Sequence, residues 1–210
     1  LTEPAAPTGV IGSLFALLRK HPRHKKIHWV GTSMGGLLGM LLAAMPGSPI
    51  VKLVVNDVGP LIPRASLQRI AEYLGQDPRF KTYEELESYV RLISAPFGPL
   101  TDAQWEHLTR HNATHYADGT WGFNYDPGIA EPFKGVDIQE VPLWNYYDAI
   151  RCPTLLLRGA DSDLLLKDTA LDMTQRGPRA RLVEFAGVGH APMLMAQDQI
   201  DAVQEFLLQK

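Results

Sequence analysis

The chain has 210 residues, 45% of them hydrophobic and 20% charged, so it can bury one sizeable core and has the balance of an ordinary globular protein. Its formal net charge of -3 argues against a nucleic acid or an anionic membrane as partner, and no apolar run reaches the roughly 18 residues of a membrane span. A single cysteine, Cys152, cannot form an internal disulfide, which favours a reducing compartment. We therefore predict a cytoplasmic protein that acts on a small molecule.

Hydrophobic periodicity predicts alternating helices and strands at both ends of the chain. In the first part we expect a helix over 9–20, a strand over 26–30, a helix over 37–44 and a strand over 50–55. In the last part we expect strands over 154–159 and 181–185 and helices over 167–175 and 197–209. A strand, a helix and a second strand form a βαβ unit, so the pattern predicts an α/β fold with a parallel sheet.

Residues 59–150 differ from both ends because they are mainly amphipathic helices. Helices are predicted over 66–74, 83–93 and 101–112, followed by a short hairpin or loop near 118–121. Thr101 and Gln104 have the spacing of a helix-starting capping box. The sequence thus predicts a core over 1–58 and 151–210 that is interrupted by a helical insertion over 59–150.

The sequence Gly31-Thr32-Ser33-Met34-Gly35-Gly36 lies where a strand gives way to a helix. The pattern Gly-x-Ser-x-Gly permits a sharp turn between the two elements, because glycine lacks the β-carbon that would obstruct nearby backbone. Such a turn presents the serine oxygen at the end of the sheet. Ser33 is therefore a candidate nucleophile.

A serine hydroxyl needs a base within hydrogen-bond reach, and histidine is the usual one. His21 and His24 lie in a basic turn, and His28 lies inside a strand. The remaining candidates outside the C-terminal part, His107, His111 and His115, belong to the insertion. Only His190, within Gly-Val-Gly-His-Ala-Pro, follows a strand in a glycine-rich loop, so it is the predicted base.

Along the chain, a serine at a sharp strand-to-helix turn is followed by a loop that carries acidic residues and then by Gly-x-Gly-His near the C-terminus. This order resembles the alpha/beta-hydrolase fold family. The resemblance is strong over 26–60 and 150–210 and weak through the insertion. It implies the C-terminal part of the family's parallel sheet, with residues 59–150 as a helical cap or lid.

The resemblance also implies an aspartate that orients the histidine, and three candidates remain. Asp163 is favoured, because the family's strand after the lid commonly ends in a turn that carries the acid, followed by apolar residues such as those at 164–166. Asp161 is nearer the glycine of that turn and is second. Asp57 is the third candidate, because some members of the family take the acid from the strand that precedes the lid.

Negative charge that develops on the substrate oxygen needs two N–H donors. Met34, directly after the nucleophile, supplies one of them. The family takes the other from a loop well upstream, which the 32 residues before Ser33 do not contain. The sequence thus resembles a family member that lacks the N-terminal strands, and we expect the strand at 26–30 to form an open sheet edge that allows self-association.

The leading functional hypothesis is a serine hydrolase of carboxylic esters that works through an acyl-enzyme, without a cofactor or a metal. Within the family the same residues are compatible with thioesterases, lactonases and carbon–carbon bond hydrolases. The alternative is a catalytically silent fragment or interaction module, because the second oxyanion donor is missing. His107 and His111 are spaced like metal ligands, but no cysteine or carboxylate pattern completes a four-ligand site.

Overall fold

The computed structural model describes residues 9–20, 26–135 and 137–209, so His21 and His24 lie outside the described residues. The chain divides into two compact units. The first consists of Leu1–Ile62 and Val141–Lys210, and the second of Pro63–Glu140. Within the described residues, no helix is both long enough and apolar enough to cross a bilayer.

The first unit contains the helices and strands that the two ends of the sequence predict. Before the insertion its elements are α1 (Gly9–Lys20), β1 (Ile27–Thr32), α2 (Met34–Ala43), β2 (Ile50–Asn56) and β3 (Leu61–Ile62). The second unit contains α3 (Arg64–Tyr73), α4 (Tyr83–Ile93), α5 (Asp102–Asn112), β4 (Ala113–His115) and β5 (Trp121–Phe123). The chain then completes the first unit with β6 (Val141–Pro142), α6 (Trp144–Ala149), β7 (Thr154–Gly159), α7 (Lys167–Gln175), β8 (Arg181–Phe185) and α8 (Gln197–Leu208).

A four-stranded parallel sheet in the order β1-β2-β7-β8 forms the centre of the first unit, so the predicted α/β fold is confirmed. Every residue of β7 is buried, as expected for an interior strand covered on both faces. In contrast, β1 alternates between exposed and more buried residues, and among the described strands it pairs only with β2. The strand predicted at 26–30 therefore lies at an edge of the described sheet.

A core cluster of this unit joins β2, β7 and β8 to α8. Val54 of β2 and Leu155 and Leu157 of β7 are fully buried, and they pack with Phe185, Val188 and Phe206. Burying such side chains contributes about 1.5–3 kcal/mol each. The loops that follow these strands therefore start from a rigid base.

The second unit has a separate core built from aromatic and aliphatic side chains of its helices and hairpin. Leu86, Val90 and Trp105 are buried there, and partly buried residues that include Phe97, Trp121 and Phe123 pack around them. The predicted capping box is confirmed: the Thr101 hydroxyl accepts from the Gln104 N–H and the Gln104 side chain accepts from the Thr101 N–H. The hairpin expected near 118–121 is the β4–β5 pair.

Candidate active site

A sharp turn at Ser33 joins β1 to α2. Ser33 has a φ of 51° and a ψ of -119°, a conformation that an L-residue adopts only under strain. A Cβ on Gly31 would collide with the backbone carbonyl of Gly35, and one on Gly36 would lie 2.7 Å from the Val58 side chain. Gly35, by contrast, has open space around it, so Gly31 and Gly36 rather than Gly31 and Gly35 make the turn possible.

The turn is also held from the strand side. The Trp29 indole N–H of β1 donates to the Gly35 carbonyl oxygen at 2.9 Å. A Cβ on Gly39 would lie 2.6 Å from the Trp29 ring, so strand and helix can approach this closely only because residue 39 is glycine. The Ser33 N–H donates to the Asn56 carbonyl oxygen at 2.9 Å, which ties Ser33 to the end of β2.

His190 lies in the loop after β8, with its Nε2 3.1 Å from Ser33 Oγ. Two contacts fix this loop. The carbonyl groups of Val188 and Gly189 pass so close to Gly159 that a Cβ there would overlap them. On the other side, the Asn56 amide nitrogen donates to the Pro192 carbonyl at 2.7 Å and to the Thr32 hydroxyl at 3.0 Å. The structure therefore brings together the predicted nucleophile and the predicted base.

The carboxylate beside His190 belongs to Asp57. His190 Nδ1 lies 2.7 Å from Asp57 Oδ2, and Asp57 is fully buried at the end of β2. Asp163 and Asp161 lie in the loop after β7 and are exposed. Of the three candidate acids, the structure thus places Asp57, the third, against His190, because the histidine loop reaches the end of β2.

Asp57 accepts two further hydrogen bonds that the sequence analysis missed. The Gly159 N–H donates to Oδ1 at 2.8 Å, and the Ser162 hydroxyl donates to Oδ2 at 2.6 Å. Three donors thus surround a carboxylate from which water is excluded, and charge-assisted hydrogen bonds of this kind compensate for its burial. No local sequence pattern marks Ser162, which lies between Asp161 and Asp163.

The loop that carries Ser162 is anchored by a buried arginine. Arg158 of β7 donates through Nε to the Leu165 carbonyl at 2.8 Å and through Nη1 to the Ala160 carbonyl at 3.1 Å. Its Nη1 also lies 2.5 Å from the carboxylate of Glu184 on β8. These contacts hold the loop across residues 160–165.

The hydrogen-bond pattern determines which histidine nitrogen carries the proton. An ionised carboxylate can only accept, so Nδ1 donates to Asp57 and the Nε2 lone pair faces the Ser33 hydroxyl. A neutral imidazole in this tautomer can take a proton from the serine. The arrangement is therefore suited to general-base activation of Ser33.

Met34, the predicted oxyanion residue, is the first residue of α2. The first N–H groups of a helix have no acceptor within the helix, and its dipole favours negative charge at this end. The Met34 N–H therefore belongs to a helix terminus that directly follows Ser33. The Met34 side chain is 61% exposed.

The other residues considered from the sequence lie elsewhere. His28 is in β1, His107 and His111 are neighbours on α5 with ring centroids 4.2 Å apart, and His115 is in β4. Among the described residues, no group of three or more histidine, cysteine, aspartate or glutamate side chains could hold a metal ion. Cys152 precedes β7 at the opposite end of the sheet from Ser33, and burial raises the pKa of its thiol, which disfavours the reactive thiolate.

The sequence also matches known proteins. A model of the alpha/beta hydrolase family matches residues 3–203. A 3-hydroxybutyrate-oligomer hydrolase of Cupriavidus necator is 44% identical over 190 residues, which cover 87% of this chain and 65% of that protein. The esterase Rv0045c of Mycobacterium tuberculosis is 27% identical over 165 residues, which cover 75% of this chain and 53% of that protein. The chain thus spans less than two thirds of the length of these curated relatives.

The fold has a close counterpart among solved structures. An alpha/beta hydrolase of Novosphingobium aromaticivorans matches with a TM-score of 0.82 and 37% sequence identity. The match covers 94% of this chain and 70% of the other. It therefore extends over both ends of the sequence and the insertion.

Proposed function

Because this chain belongs to the alpha/beta hydrolase family, we propose that it hydrolyses carboxylic esters through an acyl-enzyme formed on Ser33. The observation that carries the proposal is the pair of hydrogen bonds at His190, 3.1 Å from Nε2 to Ser33 Oγ and 2.7 Å from Nδ1 to Asp57 Oδ2. The hydrolase and esterase names of the two curated relatives support the same reaction class.

In the proposed reaction, Ser33 Oγ attacks the ester carbonyl carbon while its proton passes to His190 Nε2. The Met34 N–H donates to the oxyanion that forms. Collapse of this intermediate releases the alcohol, which takes the proton from His190 and leaves an acyl group on Ser33. Water then attacks the acyl-enzyme with His190 again as base, which releases the acid and restores the serine.

Asp57 takes the orienting role in this proposal. Its carboxylate keeps the Nδ1–H tautomer of His190 and stabilises the imidazolium that forms in each step. Burial of Asp57 and its three donors support this role over Asp163 and Asp161, whose side chains are exposed. No cofactor is required, since serine and histidine supply the nucleophile and the proton transfers.

The test is hydrolysis of p-nitrophenyl butyrate by the wild type and by Ser33→Ala, with the exposed α4 residue variant Ser88→Ala as matched control. We expect Ser33→Ala to lower kcat by about 10³-fold or more and Ser88→Ala to leave it unchanged. A fluorophosphonate probe should label the wild type and Ser88→Ala but not Ser33→Ala. A folded wild type that neither hydrolyses esters nor reacts with the probe would support the silent-fragment alternative.

The first natural substrate to test is a short oligomer of 3-hydroxybutyrate, on which the 44% identical relative is named to act. We propose that this chain cleaves such hydroxyacid oligoesters. Release of the monomer, measured by chromatography, should proceed with a higher kcat/KM than hydrolysis of p-nitrophenyl butyrate. A higher kcat/KM for thioesters, lactones or β-diketones would instead select one of the other activities compatible with a serine triad.

Three further proposals concern the insertion, the cellular location of the protein and its self-association. We propose that the helical insertion predicted at 59–150 is a lid, which its place in the chain directly after β2 supports. The single cysteine supports a cytoplasmic location. The edge of β1 that lacks a partner among the described strands supports self-association, and analytical ultracentrifugation would show a dimer if this edge pairs with a second copy.

A further inference from the structure

Ser162 is a buried residue of the loop after β7, and it contacts Asp57, the carboxylate proposed to orient His190. Its side chain lies among buried atoms, with the residue only 6% exposed. Its Oγ is 2.6 Å from Asp57 Oδ2, the oxygen that also faces His190 Nδ1 at 2.7 Å. Ser162 thus contacts the reacting histidine only through the carboxylate.

The direction of the Ser162 hydroxyl proton follows from its other contacts. A serine hydroxyl has one hydrogen to donate and two lone pairs that accept. The N–H groups of Leu164 and Leu165 point at Oγ from 3.3 and 3.1 Å, so they occupy the accepting side. The hydrogen is therefore directed to Asp57 Oδ2, and the loop backbone keeps it there.

We propose that Ser162 is a positioning residue that fixes the Asp57 carboxylate in line with His190 Nδ1. This inference rests on the proposed esterase function. The Gly159 N–H holds Oδ1 at 2.8 Å and Ser162 holds Oδ2, so the two donors together prevent the carboxylate from rotating about its Cβ–Cγ bond. Arg158 keeps the loop in place through the carbonyls of Ala160 and Leu165.

Removal of the hydroxyl should change the electrostatics of the pair as well as its geometry. Without this donor, more of the negative charge on Oδ2 is directed at His190, and the imidazolium form is favoured. Because the base must be neutral to accept the serine proton, the acidic limb of the kcat/KM profile then moves to higher pH. Arg158, which pairs with Glu184 and anchors the loop, and Asp161 and Asp163, which flank Ser162, are unchanged by the substitution.

The experiment compares Ser162→Ala and Ser162→Thr with the wild type. We expect Ser162→Ala to lower kcat about 5- to 50-fold, to leave KM within about twofold and to move the acidic limb upward by about 0.3–1 pH unit. Ser162→Thr keeps a hydroxyl, so it should have the acidic limb of the wild-type kcat/KM profile and most of the wild-type kcat. If Ser162→Ala does not fold, Ser162→Cys, with its weaker thiol donor, replaces it and should show a smaller change in the same direction.

A second readout does not depend on turnover. The His190 Nδ1 proton in a hydrogen bond to a carboxylate gives a separate downfield NMR resonance, which should move or broaden in Ser162→Ala and return in Ser162→Thr. The proposal would be overturned if Ser162→Ala kept the kcat, the acidic limb of the kcat/KM profile and the His190 Nδ1 proton resonance of the wild type. An equal loss of kcat in Ser162→Ala and Ser162→Thr, with the acidic limb of the kcat/KM profile unchanged, would also overturn it. The hydroxyl would then only stabilise the loop. An inactive wild type with the expected resonance changes would contradict the esterase function but not the role of Ser162.

Discussion

Asp57 and Asp163 carry the same functional group, but their surroundings differ. Asp57 is fully buried, and three N–H or O–H groups donate to its carboxylate. Asp163 is exposed on the loop after β7. An aspartate that orients a catalytic histidine needs a fixed position and protection from water, and the surroundings of Asp57 meet both needs.

We therefore predict that Asp57→Asn lowers kcat by about 10²- to 10⁴-fold, because an amide nitrogen facing His190 favours the wrong tautomer. Asp163→Asn and Asp161→Asn, as controls from the neighbouring loop, should change kcat less than about threefold. Steady-state kinetics with p-nitrophenyl butyrate measures all three variants, and circular dichroism checks their folding. A larger loss in Asp163→Asn than in Asp57→Asn would return the acid to the loop after β7.

The local sequence predicts some of the candidate-site residues better than others. Ser33 and His190 follow strands within glycine-rich turns, and this signal is contained in a few neighbouring residues. The choice of acid depends on which of two adjacent strand ends the histidine loop reaches, and this is a tertiary contact. Ser162 has no signature at all, because its importance comes from the direction of one hydroxyl proton.

At the scale of elements, periodicity predicts the long helices and strands well and the short ones poorly. The β3–β6 pair has only two residues in each strand, which is too short to show an alternating pattern. Helix α6 has six residues, and one of its anchors is a single buried hydroxyl. Tyr147 of α6 is fully buried, and its phenol donates to the Met173 carbonyl of α7 at 2.6 Å.

Burial raises the pKa of Tyr147 above its usual value near 10. A group whose pKa is higher in the folded state than in the unfolded state contributes its full stabilisation at pH values below the unfolded-state pKa. This contribution is lost as the pH rises from the unfolded-state pKa through the folded-state pKa. We predict that Tyr147→Phe lowers the free energy of unfolding by about 1 kcal/mol at pH 7, because the buried hydrogen bond is removed. The difference between variant and wild type should shrink above pH 10.

Urea denaturation at pH 7 and at pH 10.5 measures both effects. Tyr146→Phe, which removes the half-buried neighbouring phenol of the same helix, is the matched control. Its difference from the wild type should be small at both pH values. Parallel losses of stability in Tyr147→Phe and the wild type between the two pH values would show that the Tyr147 phenol is not the titrating group.

At the scale of the whole molecule, the residues of the candidate site belong to one unit. Ser33, Asp57, Ser162 and His190 all lie in the first unit, each directly after or shortly after a strand of the parallel sheet. The carboxyl ends of parallel strands share one edge of a sheet, which explains how residues from distant parts of the sequence meet there. The core cluster around Val54 and Phe206 is also confined to this unit.

The insertion leaves and re-enters the first unit at one place. Antiparallel pairing sets Ile62 of β3 opposite Val141 of β6, at the two boundaries of the second unit. Two residues that face each other across an antiparallel pair can be joined by a two-residue turn such as Asn-Gly. We therefore predict that the chain folds when residues 63–140 are replaced by Asn-Gly.

The shortened chain should unfold cooperatively in urea, with a smaller m-value because less surface becomes exposed. It should also react with the fluorophosphonate probe, since His190, Asp57 and Ser162 all remain beside Ser33, and Ser33→Ala in the shortened chain should abolish labelling. A shortened chain that folds but fails to react, beside a full chain that reacts, would mean that the insertion helps to form the nucleophilic site. Loss of the cooperative transition would instead mean that the first unit depends on the second for its stability.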